Sequence, residues 1–394
     1  MKLLWVKTDF LHPTTRGGQI RTLEMLKRLH RRHEVHYVAF DDPAFPEGPA
    51  RAHEYCSKAY PIEHRLSDKR SPRFAVDLAR GLFSTLPVAV LRYRSSRMQQ
   101  VISDLERTGG FDAVVCDFLA PSVNIERIER CALFEHNVET VIWQRHASNA
   151  PDPLRRAFFG LQAKRMREHE GDACRRASRV VTVSREDSRT IADLFGRHDA
   201  CDVPTGVDVD FFRRPEGEIE RRADLAFLGS MDWMPNIHGV EWFVREILPL
   251  VRRRRPETTL AVVGRNPAPA VRALVSPAVA VTGTVPDVRP WLWGAAVSIV
   301  PLKIGGGTRL KIYESMAAGT AVVSTAVGAE GLEVHPPDEI RIADEPEAFA
   351  EQCLQLLNDA EERRRAAQAA LELVRSRFSW EYATARFEAA IGLA

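Results

Sequence analysis

Several things are missing from this 394-residue chain, and each absence removes a class of protein. Its six cysteines (Cys56, Cys116, Cys131, Cys174, Cys201 and Cys353) lie far apart with no C-x-x-C pair. They read as reduced thiols, not as a disulfide framework or a zinc site. No apolar run approaches the roughly 20 residues that span a bilayer. The opening MKLLWVKTDF holds too short an apolar stretch for a secretory leader, so a cytoplasmic location is expected. No segment repeats at a solenoid period. There is no P-loop, and Gly305–Leu310 fails G-x-G-x-x-G at its last position, which removes a dehydrogenase reading. The formal net charge is only +2, and no nucleic-acid partner is expected.

The length suits two domains with a core each. The small net charge hides an asymmetry: residues 1–205 carry six more basic than acidic side chains, and the remainder four fewer. A mildly basic first half suits an anionic acceptor or an acidic membrane face, although a solvated surface is the simpler reading.

Along the first half, strand-like and helix-like segments alternate. Lys2–Val6, Val35–Phe40, Ala113–Asp117, Ala132–Glu135 and Val180–Ser184 read as strands. Gln19–Arg32, Pro153–Arg176 and Ser184–Phe195 read as helices. A turn containing Gly17 and Gly18 separates the first strand from the first helix. Val203-Pro-Thr-Gly-Val-Asp marks a hinge, after which the alternation restarts with strand Leu225–Leu228, helix Ile237–Arg253 and strands Thr259–Val263 and Val279–Val281. Helices Ala348–Asn358 and Ala360–Arg377 follow. The expected division is 1–205, 206–378, and a last helix, 379–394, packing back on the first domain. The class is α/β, with two Rossmann-like halves.

The chemistry concentrates in VSIVPLKIGGGTRLKIYESMAAGTAVVST, residues 297–325. A strand, Val297–Pro301, runs into Gly305, Gly306 and Gly307, which remove every Cβ from the turn and let the backbone approach a ligand. Thr308 is the expected N-cap of helix Arg309–Ala318, which Gly319 ends. Free amides at a helix start, with Arg309 and Lys311 in its first turn, make an anion site suited to a diphosphate.

The ordered series FLGSMDWMPNIHGVEWF, AVVGR, TGTVPDVRPWL, VPLKIGGGTRLKIYESMAAGTAVVST and VGAEGL resembles the retaining GT-B glycosyltransferases of family 4 over roughly Leu225–Arg377. TRGGQIRT, FEHNVET and VTVSREDS add a sparser match in the first half, and the branch it is most similar to serves bacterial polysaccharide assembly. The resemblance implies two domains facing a central cleft and a nucleotide-sugar donor, with UDP favoured. It also implies a saccharide, lipid-linked or small-molecule acceptor, retention of configuration, and no cofactor or metal. Glu314 matches the second Glu of the family's Glu-x7-Glu, which binds the ribose; the first falls on Gly306. The family's Gly-Arg-x5-Lys phosphate pair falls on Gly229, Ser230 and Asn236, so both cations are missing there. Arg309 and Lys311 are the expected replacements. The alternative for Lys311 is a pair with Glu314 on an exposed helix face.

The same resemblance places Gly17 and Gly18 at the diphosphate, Arg265 and Val285 beside the nucleotide, and His136 near the transferred sugar. There His136 would bond the sugar or assist proton transfer, against the plainer reading of a hydrogen-bonded strand-end histidine. Asp208-Val-Asp210 matches a metal-binding D-x-D but is a short pattern that chance produces easily. Leu154–Arg167 mixes apolar and basic residues and suits either packing on the sheet or peripheral contact at the inner membrane face. Rival functions are a nucleotide-sugar epimerase or hydrolase of the same fold, and a catalytically silent nucleotide-sugar-binding subunit.

Overall fold

The computed structural model describes residues 1–14, 17–64, 66, 81, 84–150, 152–304 and 310–393. Gly305, Gly306, Gly307, Thr308 and Arg309 therefore lie outside the described residues. The chain divides into two compact units, Met1–Pro204 with Ala383–Ala394, and Thr205–Tyr382.

Among the described residues, the first unit is built on seven parallel strands: β1 (Lys2–Val6), β2 (Glu34–Asp41), β3 (Lys58–Glu63), β4 (Ala113–Asp117), β5 (Cys131–Phe134), β6 (Arg179–Thr182) and β7 (Cys201–Asp202). Their order is β3-β2-β1-β4-β5-β6-β7. The second unit repeats the plan with six: β8 (Ala223–Leu228), β9 (Leu260–Val263), β10 (Val279–Gly283), β11 (Ala295–Val300), β12 (Ala321–Ser324) and β13 (Arg341–Ile342), ordered β10-β9-β8-β11-β12-β13. Every pairing between these strands is parallel. Strands covered on both faces need continuous apolar runs. Leu3–Val6 and Leu225–Leu228 are accordingly buried throughout. Each unit has its own core, one under β1 and β4 and the other under β8 and β11.

Helix ends follow local chemistry. Helix Pro153–Arg176 starts where Asp152 Oδ1 accepts from Arg155 N at 2.8 Å, with Pro153 in its first turn. Ser184 Oγ accepts from Asp187 N at 3.1 Å to open Arg185–Phe195. Gly319, at φ 69°, follows helix Leu310–Ala317 in the left-handed region that only glycine takes freely.

Two expectations need correction. Gly17 and Gly18 are not in a turn but are the first residues of helix Gly17–Leu29. The single helix expected over Ile237–Arg253 is Met234–Trp242, a π-helical turn Phe243–Ile247, then Leu248–Arg254. Pro249 has no N–H for the i−4 carbonyl and its ring crowds that position, so the ladder loosens one turn earlier.

Candidate functional site

In a doubly wound sheet, connections leave in opposite directions from the two central strands, and a crevice opens at their carboxyl ends. In the second unit those strands are β8 and β11. Gly229 follows β8, and Lys311 lies in the helix after β11. Gly264 and Arg265 follow β9, and Val285 lies beyond β10, so these predicted residues share one edge of the sheet.

Side chains join most of them directly. Lys311 Nζ donates to Asn236 Oδ1 at 2.7 Å, and Asn236 Nδ2 donates to the Ser230 carbonyl at 2.8 Å. Arg265 Nε donates to Ser230 Oγ at 3.1 Å, while Ser230 Oγ donates to Asp232 Oδ1 at 2.5 Å. The Lys311 ammonium also lies 4.5 Å from the centre of the Phe227 ring. Lys311 is half-buried, so the reading as a solvated surface pair with Glu314 does not hold.

Two glycines permit this crowding. A Cβ on Gly229 would lie 2.6 Å from Asn236 Nδ2 and 2.9 Å from Lys311 Nζ. One on Gly264 would fall 1.7 Å from the Gly229 carbonyl oxygen. Glu314 sits one turn after Lys311; burial raises its carboxyl pKa and Lys311 opposes the shift. Val285 packs half-buried against the core on the same edge.

In the first unit, parallel register brings a lysine, an aspartate and a histidine to neighbouring strand ends. Val6 pairs with Cys116 and Asp117 with Phe134, so Lys7 just after β1, Asp117 at the end of β4 and His136 just after β5 converge. Asp117 is fully buried and satisfied. Its Oδ2 accepts from Trp5 Nε1 at 3.0 Å and Thr22 Oγ1 at 2.7 Å, and pairs with Lys7 Nζ at 3.1 Å. Its Oδ1 lies 2.7 Å from His136 Nε2. Burial alone would raise the Asp117 pKa, but Lys7, His136 and Thr22 outweigh it and hold the carboxyl well below the usual range.

For His136, burial is the largest influence and lowers the pKa to about 4 despite Asp117. The ring is therefore neutral at pH 7. With Nε2–H donating to an ionised carboxylate, Nδ1 carries the lone pair. Nδ1 is buried, has no hydrogen-bond partner among the described residues, and lies 3.7 Å from where a Cβ on Gly18 would stand. Phe118 stacks on the imidazole, with centroids 3.9 Å apart and planes at 13°. Its own φ of 72° is a left-handed conformation that costs a non-glycine residue about 1–2 kcal/mol.

Asp117, Lys7 and Thr22 were not singled out from the sequence, because their convergence depends on strand order. The available signal was a charged residue at each of two strand ends. Arg21, also unassigned, is buried on helix Gly17–Leu29; burial lowers its pKa to about 10, with Asp117 and Asp187 opposing. It stays cationic.

A cavity of about 310 Å³ opens beside this cluster within the first unit. Lys7, Asp9 and Glu139 give it polar edges; Val90, Tyr93 and Met166 give it an apolar side. The D-x-D pattern is otherwise engaged: Asp208 Oδ1 accepts from Phe211 N at 2.9 Å, and Asp210 pairs with Arg213. No cluster of three metal-ligating side chains occurs among the described residues.

Comparison with known proteins agrees with this architecture. The structure of Anabaena Alr3699/HepE in complex with UDP superposes with a TM-score of 0.68 at 13% identity, covering 100% of both chains. The two parallel-sheet α/β units thus have the fold of GT-B glycosyltransferases. An uncharacterised 44.6 kDa protein in the cps region of Klebsiella pneumoniae is 18% identical over 378 residues, 89% of each chain. The phosphatidyl-myo-inositol mannosyltransferase of Mycobacterium tuberculosis is 32% identical over 139 residues, which span 33% of this chain and 36% of that protein. The segment that carries Gly229, Arg265, Lys311 and Glu314, residues 222–359, matches the family model described as Glycosyl transferases group 1.

Proposed function

We propose that the chain transfers a sugar from a nucleotide-sugar donor, with UDP favoured, to an acceptor hydroxyl with retention of configuration. The observation that carries this reading is the Lys311 ammonium held against Asn236 and Gly229, inside the segment matching Glycosyl transferases group 1. A cation fixed in a water-poor crevice stabilises the negative charge that grows on a departing diphosphate. In this reading the donor's C1–O bond to the diphosphate breaks as the acceptor oxygen bonds C1 on the same face. The acceptor proton passes to the departing phosphate oxygen. Side-chain cations, Lys311 and Arg309, stand in for a divalent metal, and the engaged carboxylates of Asp208 and Asp210 fit that assignment.

Glu314 takes the ribose hydroxyls, which suit a carboxylate with two acceptor oxygens. Ser230, Arg265 and Val285 border the nucleotide; the amides of Gly17, Gly18 and Gly305–Thr308 meet phosphate oxygens. His136 Nδ1 accepts from a sugar hydroxyl. The cavity edged by Asp9, Glu139 and Tyr93 takes the acceptor, in polysaccharide or glycoconjugate synthesis. The likeness to a cps-region protein supports that setting. Peripheral contact with the inner membrane face rests on Leu154, 81% exposed, beside exposed Arg155 and Arg156. No helix among the described residues is long and apolar enough to cross a membrane.

Calorimetry with UDP-, GDP- and ADP-sugars tests the donor. Tight binding of a UDP-sugar, lost in Lys311→Ala and Arg309→Ala, is the expected result. Transfer should survive EDTA; a strict requirement for Mg²⁺ or Mn²⁺ would remove the metal-free mechanism. Rapid isomerisation of a UDP-sugar without acceptor would replace transfer by epimerisation.

A further inference from the structure

At the opposite end of the second sheet from Lys311, a cavity of about 580 Å³ opens beside the first residues of β11 and β12. Its rim comes from three separate parts of the chain. Arg214 and Arg221 belong to the segment before β8, and Arg363 and Arg364 to the helix Ala360–Arg377. Gln368 stands one turn further along that helix, and Trp293 is among the lining residues. Among the described residues, no carboxylate lines it.

The charges around it are only partly neutralised. Arg221 pairs with Asp224, and Arg364 with Glu361 at 2.6 Å. Arg363 Nη1 is spent on two backbone carbonyls, Leu356 at 2.6 Å and Leu357 at 3.4 Å, and no carboxylate pairs with it among the described residues. Those bonds fix the guanidinium at the cavity. Burial lowers its pKa, repulsion from Arg221 and Arg255 adds to that, and Asp359 opposes it. Arg214 likewise has no carboxylate partner among the described residues. Trp293 is held in place by donating Nε1–H to the Phe212 carbonyl at 2.9 Å.

Guanidiniums in a fixed fork match phosphate oxygens bidentately, and a multiply charged anion would relieve the repulsion described above. The geometry points to a second anion site here: a pocket for an organic phosphate of two or more negative charges, with a ring or apolar body lying on Trp293. A soluble metabolite and a phospholipid headgroup both present that chemistry.

Three probes separate the sources: inorganic pyrophosphate, ATP, and phosphatidylcholine vesicles containing phosphatidic acid. ATP is expected to bind the full chain, and the double variant Arg214→Gln/Arg363→Gln to weaken it at least tenfold. Gln368→Glu, which puts a negative charge on the exposed rim, should weaken it comparably, whereas Lys311→Ala should leave it unchanged. Hydrogen exchange should show ATP protecting residues 360–371 and not 229–236. Binding to acidic vesicles alone, lost in the same variants, keeps the site and assigns it to a lipid headgroup. Pyrophosphate binding as tightly as ATP would overturn the role of Trp293. No binding of any probe, or ATP affinity unmoved by the arginine and Gln368 variants, would overturn the site itself. Unchanged melting temperatures of the variants exclude misfolding as the cause of lost binding.

Discussion

Lys311 Nζ lies 2.7 Å from Oδ1 of Asn236, a residue 75 positions earlier in the chain. Asn236 is where the resembled family carries its phosphate-binding lysine. The Lys311 ammonium thus reaches Asn236 from the other central connection of the sheet, and Asn236 serves as its cradle.

Moving the cation back should therefore be tolerated. Lys311→Ala is expected to weaken UDP binding about 10- to 100-fold, in line with about 1.5–3 kcal/mol for a hydrogen bond to a charged group. Adding Asn236→Lys in the same chain should recover most of the loss. Calorimetry on the two variants checks this, and no recovery would show that the ammonium acts elsewhere.

Asp117 is expected to act through His136. In Asp117→Asn the amide no longer requires a proton on Nε2, so the Nδ1–H tautomer becomes competitive and the lone pair is lost from the Gly18 side. Transfer should fall by about 10²-fold, at the low end for removal of a positioned polar group, with little change in donor Kd. The imidazole ¹⁵N shifts report the tautomer; unchanged shifts alongside lost activity would assign Asp117 a purely structural role.

Glu135 gives a pH signature. Both its oxygens are buried without a hydrogen-bond partner among the described residues, and burial, with Glu170, Glu139 and Asp187 adding, raises its pKa well above the ordinary value. Burial also pushes Glu170 up to about 7. Above the unfolded value near 4.5 the unfolded state gives up these protons while the folded state keeps them. Stability should then fall as pH rises from about 4.5 to 7 and beyond. Glu135→Gln needs no proton, so its melting temperature should exceed that of the native chain at pH 8 and match it at pH 4.5. Parallel melting curves at both pH values would contradict the shift.

Gly264 should resist substitution more than its surface neighbours. A methyl group there would stand 1.7 Å from the Gly229 carbonyl oxygen, and the two loops must part to admit it. Gly264→Ala is expected to cost about 1–3 kcal/mol in urea unfolding and to weaken nucleotide binding, because Gly229 and Lys311 move together. Gly217→Ala, with φ 99° but open space around it, tests backbone strain without the clash.

The division of legibility between fold and site has a physical basis. Apolar runs such as Leu3–Val6 and the helix cap Ser184 are local, so the strands and helices they mark followed from the residues themselves; β3 and the helix Ser96–Thr108, inside the proline- and arginine-rich stretch 41–110, did not. The π-helical turn was also encoded locally, in Pro249, but its consequence appears one turn away from the proline. Lys311 was nameable from its place after the glycine run; its bond to Asn236 was not, because it spans the β8–β11 crossing. Asp117 carried no motif at all. Its importance arises from two register pairs, Val6 with Cys116 and Asp117 with Phe134, and register is a property of the assembled sheet.

Residues from Ala383 onward belong to the first unit. The Phe387 ring packs at a tilt against Trp5 and Phe134, with ring centroids 5.4 Å and 4.9 Å away. Glu388 meets His33 at 2.7 Å and Arg32 at 2.9 Å. A ribosome thus finishes the whole intervening unit before it releases the segment that seals the first. Until then the Trp5 indole lacks its lid during translation, and a fragment ending at residue 204 would be expected to need a peptide of residues 383–393 supplied in trans.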